Sequence, residues 1–497
     1  MSSRTATRRA SRCLQCLQAR PALRPSTYAL ARGIASSALR SSGAPAEIPR
    51  RPTTAPKPII DLRHIRENPE LYSRNCTERN YPRQAAYPSR IIALFGQWKD
   101  LQASARALRE EANVIKKGLG SGNGGERDAL LERAREIKQA LQGVEEEEGR
   151  LTEEMNALAV TLPNLTSDET PRGDEPRLLS YINEPPSRNT AGKSHVDIGT
   201  ELNILDFASA STASGWGFYY LLNEGAQLEQ ALAQYALAVA TRHGWAHVSP
   251  PTMVYDFIAE ACGFQPRDQN GEQQIYGVAQ SDEDAARGRP RLSLAGTSEI
   301  SLAGMKAGAT IPVADLPVKR VASSRCFRAE AGARGVDTKG LYRVHEFTKV
   351  ELFAWAPPDE ASAADLFDEM LDIQTEILQS LGLHCRVLEM PSTDLGASAT
   401  RKCDIEAFFP SRTARNEGWG EVTSASVCSD YQTRRLGTRA KDAAGKVNGF
   451  PWTVNGTAVA VPRVLAAVLE NGWDGKGVVV PEVLRPWMDG RERIGPV

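Results

Sequence analysis

Cys326-Phe327-Arg328-Ala329-Glu330-Ala331-Gly332, followed by Tyr342-Arg343-Val344-His345-Glu346-Phe347-Thr348-Lys349-Val350-Glu351, is the stretch from which the rest of the chain can be read. Both halves are β-like, and side chains two apart on a strand emerge on the same side. The spacing therefore predicts Arg328 and Glu330 on one face, and Arg343, His345 and Phe347 together on another. An aromatic ring flanked by arginines suits a flat heteroaromatic base that carries phosphates. Alternating charges on a strand more often describe a solvent face with a salt-bridge network, and by itself the stretch allows both readings.

A third segment of the same kind lies near the end, Val454-Asn455-Gly456-Thr457-Ala458-Val459-Ala460-Val461-Pro462-Arg463. Around these segments, helical patterns at Glu224–Arg242 and Ala361–Leu381 alternate with β-rich runs at Leu341–Phe353 and Gly449–Thr453. From residue 175 to 497 the chain thus reads as one mixed α/β or α+β domain with a substantial core. No GxxxxGK[ST] loop, HExxH or GxSxG is present, which excludes a P-loop nucleotide site, a zincin and a nucleophile elbow.

Upstream the period changes. Leu94, Trp98, Leu101, Ala105, Leu108, Ala112 and Ile115 alternate steps of four and three, and Gly118, Gly120, Gly122, Gly124 and Gly125 then break the chain. Leu130, Ala134, Ile137, Leu141, Val144, Leu151, Met155 and Leu158 resume the pattern, with Glu148 at one seam position. Two such series joined by a glycine-rich turn predict an antiparallel helical hairpin, the first helix spanning Arg90–Lys117 and the second stopping near Leu162-Pro163-Asn164. The run Glu145–Glu148 reads as a solvated face, and a hairpin alone is most often a structural or protein-binding device.

The whole chain of 497 residues has a formal charge of −1, which conceals an asymmetry. Residues 1–58 hold eleven Lys or Arg and one acid, Glu47, which leaves 49 basic against 60 acidic residues in the remainder. Arg4, Arg8, Arg9, Arg12, Arg20, Arg24, Arg32 and Arg40 recur in a Ser- and Ala-rich segment free of Asp and Glu. That is the composition of a mitochondrial transit peptide, while a disordered basic arm that contacts RNA is the other reading. Cys13 and Cys16 form a lone CxxC there, and the other cysteines are scattered, so no zinc site is expected. No apolar run is long enough to span a bilayer.

Taken together, the segments resemble the class II aminoacyl-tRNA synthetases, and among them the seryl-tRNA synthetases. Phe327 through Glu351 looks like motif 2, Asn455–Arg463 like motif 3, and Pro250-Pro251 like the motif 1 proline at a dimer interface. Thr297-Ser298-Glu299, Glu421-Val422-Thr423-Ser424-Ala425-Ser426, Val480-Pro481-Glu482-Val483-Leu484-Arg485-Pro486 and Asp61-Leu62-Arg63…Arg66-Glu67-Asn68-Pro69 match as well, so the likeness runs from about Ile60 to Gly495. It implies an α+β fold, an antiparallel sheet flanked by helices, preceded by the hairpin as an arm that grips tRNA. The implied domains are 1–50 as transit peptide and linker, 58–165 as the arm and 175–497 as the catalytic domain.

The resemblance also implies roles. Arg328, Glu421 and Arg463 are the expected catalytic residues, with Arg328 on the α-phosphate and serine carboxylate and Arg463 on the γ-phosphate. Glu330, Arg343, Val344, Phe347, Val422 and Ser424 join them around ATP, with Phe347 stacked on adenine. Glu421 and Ser424 match the positions that hold Mg²⁺. Thr297, Glu351, Asn455 and Thr457 are expected around serine, the first two on its amino group and Thr457 on its hydroxyl. The implied partners are ATP, serine and tRNA(Ser), in a homodimer of the mitochondrial matrix, with no membrane. Two departures stand out: Val427 and Cys428 follow Ser426 where the family has Asn, and Cys403 replaces an aromatic. Neither is expected to touch the site. They leave a catalytically inactive paralogue as the alternative, and loading of a carrier protein as a remoter one that the helical arm disfavours.

Overall fold

The computed structural model describes residues 55–119, 124–186, 188–265, 273–330 and 340–496. The arginine-rich leader with Cys13 and Cys16, and Ala331 and Gly332 of the quoted motif, lie outside the described residues. No described helix is long and apolar enough to cross a membrane.

The hairpin is present as α1 (Tyr87–Gly118) and α2 (Gly124–Val160). Its 32-residue first helix is roughly 48 Å long at 1.5 Å per residue. Leu94, Ala105 and Ile115 of α1 and Ile137, Leu151 and Met155 of α2 are buried along the predicted seam. Arg90 Nη2 meets Glu154 Oε1 at 2.9 Å and Arg133 Nε meets Glu111 Oε1 at 2.7 Å, which fixes the antiparallel register. Within the acidic run Glu148 holds the seam position that its spacing gives it, and its Oε1 is buried with no partner among the described residues, so the run is not a solvated face throughout.

The root of the arm is welded to the following domain by buried cations. Arg79, 1% exposed, donates to the carbonyls of Asn164 (2.5 Å) and Gly396. Arg435 donates to those of Val160 (2.9 Å) and Leu162 (3.2 Å). Such charges are tolerated in the interior because chain carbonyls take their terminal nitrogens, although Arg79 Nε is buried with no partner among the described residues.

The domain itself is an eight-stranded sheet. Its strands are β1 (Arg177–Ile182), β2 (Ala246–Val248), β3 (Val318–Phe327), β4 (Glu346–Ala356), β5 (Cys385–Glu389), β6 (Arg401–Phe408), β7 (Trp419–Ser429) and β8 (Trp452–Ala460). Their spatial order is β1-β5-β6-β7-β8-β4-β3-β2. Neighbours are antiparallel except the edge pair β2–β3, which is parallel. Helices α3 (Asn223–Arg242), α4 (Glu360–Ser380) and α6 (Val461–Gly472) bury Leu228, Phe367 and Leu465 against Leu352, Ile405, Val422 and Val454 of the strands. The short α5 (Tyr431–Leu436) carries Arg435.

Alternation on β4 divides the two faces. Val350, Leu352 and Ala354 join this main core, whereas Phe353 and Trp355 join a second cluster on the opposite side. Phe347, Lys349 and Glu351 share the parity of Phe353, so the strand carries them to the face that the three helices leave free. The quoted stretch is less regular than its spacing predicts. Strand β3 ends at Phe327, and Glu330 has a left-handed φ of 46°. Arg343 and His345 likewise precede β4, which begins at Glu346. Arg328 and Glu330 are thus presented from a turn, held by Arg328 N donating to His345 O at 2.9 Å.

Candidate active site

A cleft of about 500 Å³ opens on the free face, lined by residues from all three quoted segments. Arg328, Glu330, Arg343, Val344, Phe347, Glu421, Val422, Ser424, Thr457 and Arg463 all border it. These are the whole nucleotide set expected from the sequence, with Thr457 from the serine set.

Arg328 sits at the centre. Its Nε donates to Gly296 O at 3.3 Å, its guanidinium lies 5.3 Å from the centre of the Phe347 ring, and no described residue takes its terminal nitrogens. A planar cation above an aromatic ring, with its outer donors free, is prepared for a phosphate or carboxylate. Glu330 Oε2 and Arg343 Nη1, 3.4 Å apart, close the rim.

At one end, Arg463 Nη1 meets Glu421 Oε2 at 3.0 Å, and Arg463 Nε donates to Tyr342 O at 3.1 Å. Tyr342 is itself fixed from behind, since Leu341 N donates to His195 Nε2 (3.1 Å) and His195 Nδ1 pairs with Glu470 Oε1 (2.7 Å). Gly340 makes this approach possible, because a Cβ there would stand 2.3 Å from His195 Nε2. Burial alone would raise the Glu421 carboxyl, but Arg463, then Lys402 and Arg328, pull it down to about 2.

Glu421 and Ser424 are three apart, so a regular strand would send them to opposite faces. The register corrects this: Thr423 faces Ile405, but Glu421 already faces Glu406, leaving Val422 as an extra residue. This β-bulge shifts the alternation by one and turns both oxygens into the cleft. Gln374, fully buried, donates to the carbonyls of Ser424 (2.8 Å) and Thr457 (2.9 Å) and ties β7 to β8 beside it.

At the other end, three of the expected serine residues lie one layer below the cleft. Thr297, Glu351 and Asn455 are 1%, 1% and 8% exposed. Lys349 stands among them, with Nζ 2.5 Å from Glu351 Oε2 and 3.0 Å from Thr297 Oγ1. An ammonium group therefore already occupies the two groups assigned to the serine amine. Asn455 Nδ2 donates to Glu299 Oε1 at 3.1 Å, and Gln432 Nε2 to the same oxygen at 2.6 Å. Burial, reinforced by Glu351, pushes the Glu299 carboxyl up to about 7, with Lys349 opposing.

Lys349 and Glu299 were within the quoted motifs but received no role. The available signal was parity: Phe347, Lys349 and Glu351 alternate on one strand face. Val427 and Cys403 are buried and do not line the cleft. Cys428 differs from expectation, for Asn455 Nδ2 lies 3.4 Å from its sulfur, so that departure reaches a residue of the serine set. No group of three or more His, Cys, Asp or Glu suited to a metal occurs among the described residues.

Comparison with known proteins gives this geometry a context. Residues 285–472 match the tRNA synthetase class II core domain (G, H, P, S and T), and residues 59–166 match the seryl-tRNA synthetase N-terminal domain. The chain is 45% identical over 341 residues to the mitochondrial serine–tRNA ligase of Saccharomyces cerevisiae, covering 67% of this chain and 72% of that one. It is 38% identical to the mitochondrial serine–tRNA ligase of Schizosaccharomyces pombe, covering 86% and 88%. Among solved structures, the seryl-tRNA synthetase of Pyrococcus horikoshii complexed with ATP superposes with a TM-score of 0.78 at 32% identity, covering 88% of this chain and all of that one.

Proposed function

The chain belongs to the seryl-tRNA synthetases, ATP-dependent serine–tRNA ligases, and from that premise we propose that the cleft around Arg328 forms seryl-adenylate and then passes serine to tRNA(Ser). The observation that carries this reading is the Arg328 guanidinium, set over Phe347 with terminal nitrogens that no described residue takes, in a cleft that Glu421 and Arg463 also line.

In the activation step the serine carboxylate oxygen attacks the α-phosphorus of ATP, the bond from that phosphorus to the α,β-bridging oxygen breaks, and pyrophosphate leaves. Negative charge gathers on α-phosphate oxygens, where the Arg328 fork stabilises it without reorganisation. Phe347 stacks on adenine, Glu330, Arg343 and Val344 border it, and Arg463 holds the γ-phosphate. Substrates supply both reacting groups, so the protein contributes position and charge. Serine enters beneath Arg328, its amine meeting Thr297 and Glu351 with Asn455 behind, and its hydroxyl meeting Thr457. Lys349 then gives up its two partners and turns toward the incoming carboxylate. A pocket built on that hydroxyl rejects alanine, which strands buried polar groups.

The ionised Glu421 carboxylate and the Ser424 hydroxyl, which bonds no described residue, are donors that fit a hard cation such as Mg²⁺. When bound, the cation neutralises charge on the phosphates. We take 58–165 as the tRNA-gripping arm and 175–497 as the catalytic domain. Dimerisation through the Pro250-Pro251 region and residence in the mitochondrial matrix complete the proposal, the latter supported by the arginine-rich residues 1–50 and by the mitochondrial relatives. Nothing observed favours an inactive paralogue.

Serine-dependent ATP–pyrophosphate exchange tests the reading, with alanine, threonine and glycine as controls. Exchange with serine alone is expected, and no exchange from a folded protein overturns it. Deleting residues 90–158 separates the two half-reactions: exchange persists while tRNA charging falls about a hundredfold or more, as a lost binding surface requires. Loss of both would make the arm a support of the fold.

A further inference from the structure

Asp404 lies on β6 directly opposite Ser424 of β7. Opposed residues on antiparallel strands have Cβ atoms about 4.5–5.5 Å apart, within reach for a carboxylate and a hydroxyl. Lys402 Nζ donates to Asp404 Oδ2 at 2.8 Å, with Asp394 Oδ2 also 3.3 Å from the ammonium. Asp404 Oδ1 is different: it is buried and has no partner, in a residue only 4% exposed. A polar oxygen left empty in the interior is costly, and this one lies on the strand pair that carries Ser424, where a partner can reach it. Across from it, the Ser424 hydroxyl bonds no described residue, although the Ser424 carbonyl is taken by Gln374.

We propose that Asp404 is a positioning residue for the cation site, whose free Oδ1 accepts the Ser424 hydroxyl proton so that the Ser424 oxygen faces the metal. The inference rests on the reading of Glu421 and Ser424 as cation ligands. A hydroxyl has a single proton and must aim it somewhere when its lone pairs turn to a cation. A carboxylate acceptor fixes that direction and makes the oxygen a better ligand, as partners behind metal ligands do generally. Lys402 clamps one oxygen of Asp404 and thereby reserves the other. The divalent ion need not touch Asp404 at all.

The test is Mn²⁺ binding, followed by electron paramagnetic resonance, to the full chain with a non-hydrolysable ATP analogue. Ser424→Ala and Asp404→Ala are each expected to weaken Mn²⁺ by about tenfold or more. The Ser424→Ala/Asp404→Ala double variant should be no weaker than the worse single, because the two act as one unit. Asp404→Asn keeps an acceptor oxygen and should stay within about threefold of the wild type. Should Asp404→Ala fold poorly, Lys402→Met with Asp404→Leu removes both charges together, strands neither, and should show the same tenfold loss. Unchanged Mn²⁺ affinity in Asp404→Ala, or in the paired variant, overturns the proposal, as do losses that multiply in the double variant. Failure of the underlying reading looks different: Glu421→Gln and Ser424→Ala would themselves bind Mn²⁺ like the wild type.

Discussion

Glu421, at the cleft with its side chain 38% exposed, and Glu299, buried beneath it, are driven in opposite directions. Glu421 is pulled down to about 2 because three cations, Arg463, Lys402 and Arg328, outweigh its burial. Glu299 is pushed up to about 7 because burial and Glu351 outweigh Lys349 and the amide of Gln432. The proposed phosphate end is thus a negative charge among positive ones. At the proposed serine end burial is the larger cause of the Glu299 shift, and the nearby Lys349 ammonium does not offset it. Burial opposes the charge of both carboxylates, and nearby cations overcome it only at Glu421.

The largest break in this contrast comes from Arg328, the cation that acts on both ends. Arg328→Ala should lower adenylate formation by about a thousandfold in single-turnover measurements, while leaving circular dichroism and thermal unfolding near the wild type. Near-normal turnover would end the assignment of Arg328 to the α-phosphate. Arg463→Gln should unbalance the phosphate end alone. About a hundredfold is expected in kcat/KM for ATP, with KM for serine nearly unchanged, and equal damage to both substrates would erase the distinction between the ends.

Glu299→Gln gives the smallest effect and the sharpest diagnostic. The folded-state pKa is raised from 4.5 to about 7, so the folded protein binds the extra proton between these values. The proton-linked stability is therefore complete below about pH 4.5 and is lost as pH rises toward 7, on the order of 1 kcal/mol per pH unit. Denaturant unfolding of the wild type should fall relative to Glu299→Gln across that window and run parallel above it. Parallel behaviour at all pH values would show that the Glu299 carboxyl is not raised on folding.

The helical arm was legible because its signal is local. Leu94, Ala105 and Ile115 recur at the helical period, and a period of that kind needs no distant partner to be read. What the spacing did not give was the burial of Glu148 Oε1 within an acidic run read as solvated, which depends on packing across the hairpin. In the catalytic domain, membership of the cleft was also legible: Arg328, Phe347, Glu421, Thr457 and Arg463 were named from motifs and meet around one opening. Placement within the site was not. Asn455 was expected to touch serine, yet it holds Glu299 and Cys428 a layer below.

The sequence by itself determined the hairpin, through the short-range spacing of its apolar residues, and its motifs carried the resemblance that named the family and the residues lining the cleft. Only the tertiary structure decided that Glu421 and Ser424 face the same way, because that depends on one unpaired residue, Val422, in the register between two strands. Likewise it alone set Lys349 between Thr297 and Glu351, and Asp404 opposite Ser424. Register and burial are properties of pairs distant in the chain, and electrostatics in a low-dielectric interior is governed by those pairs.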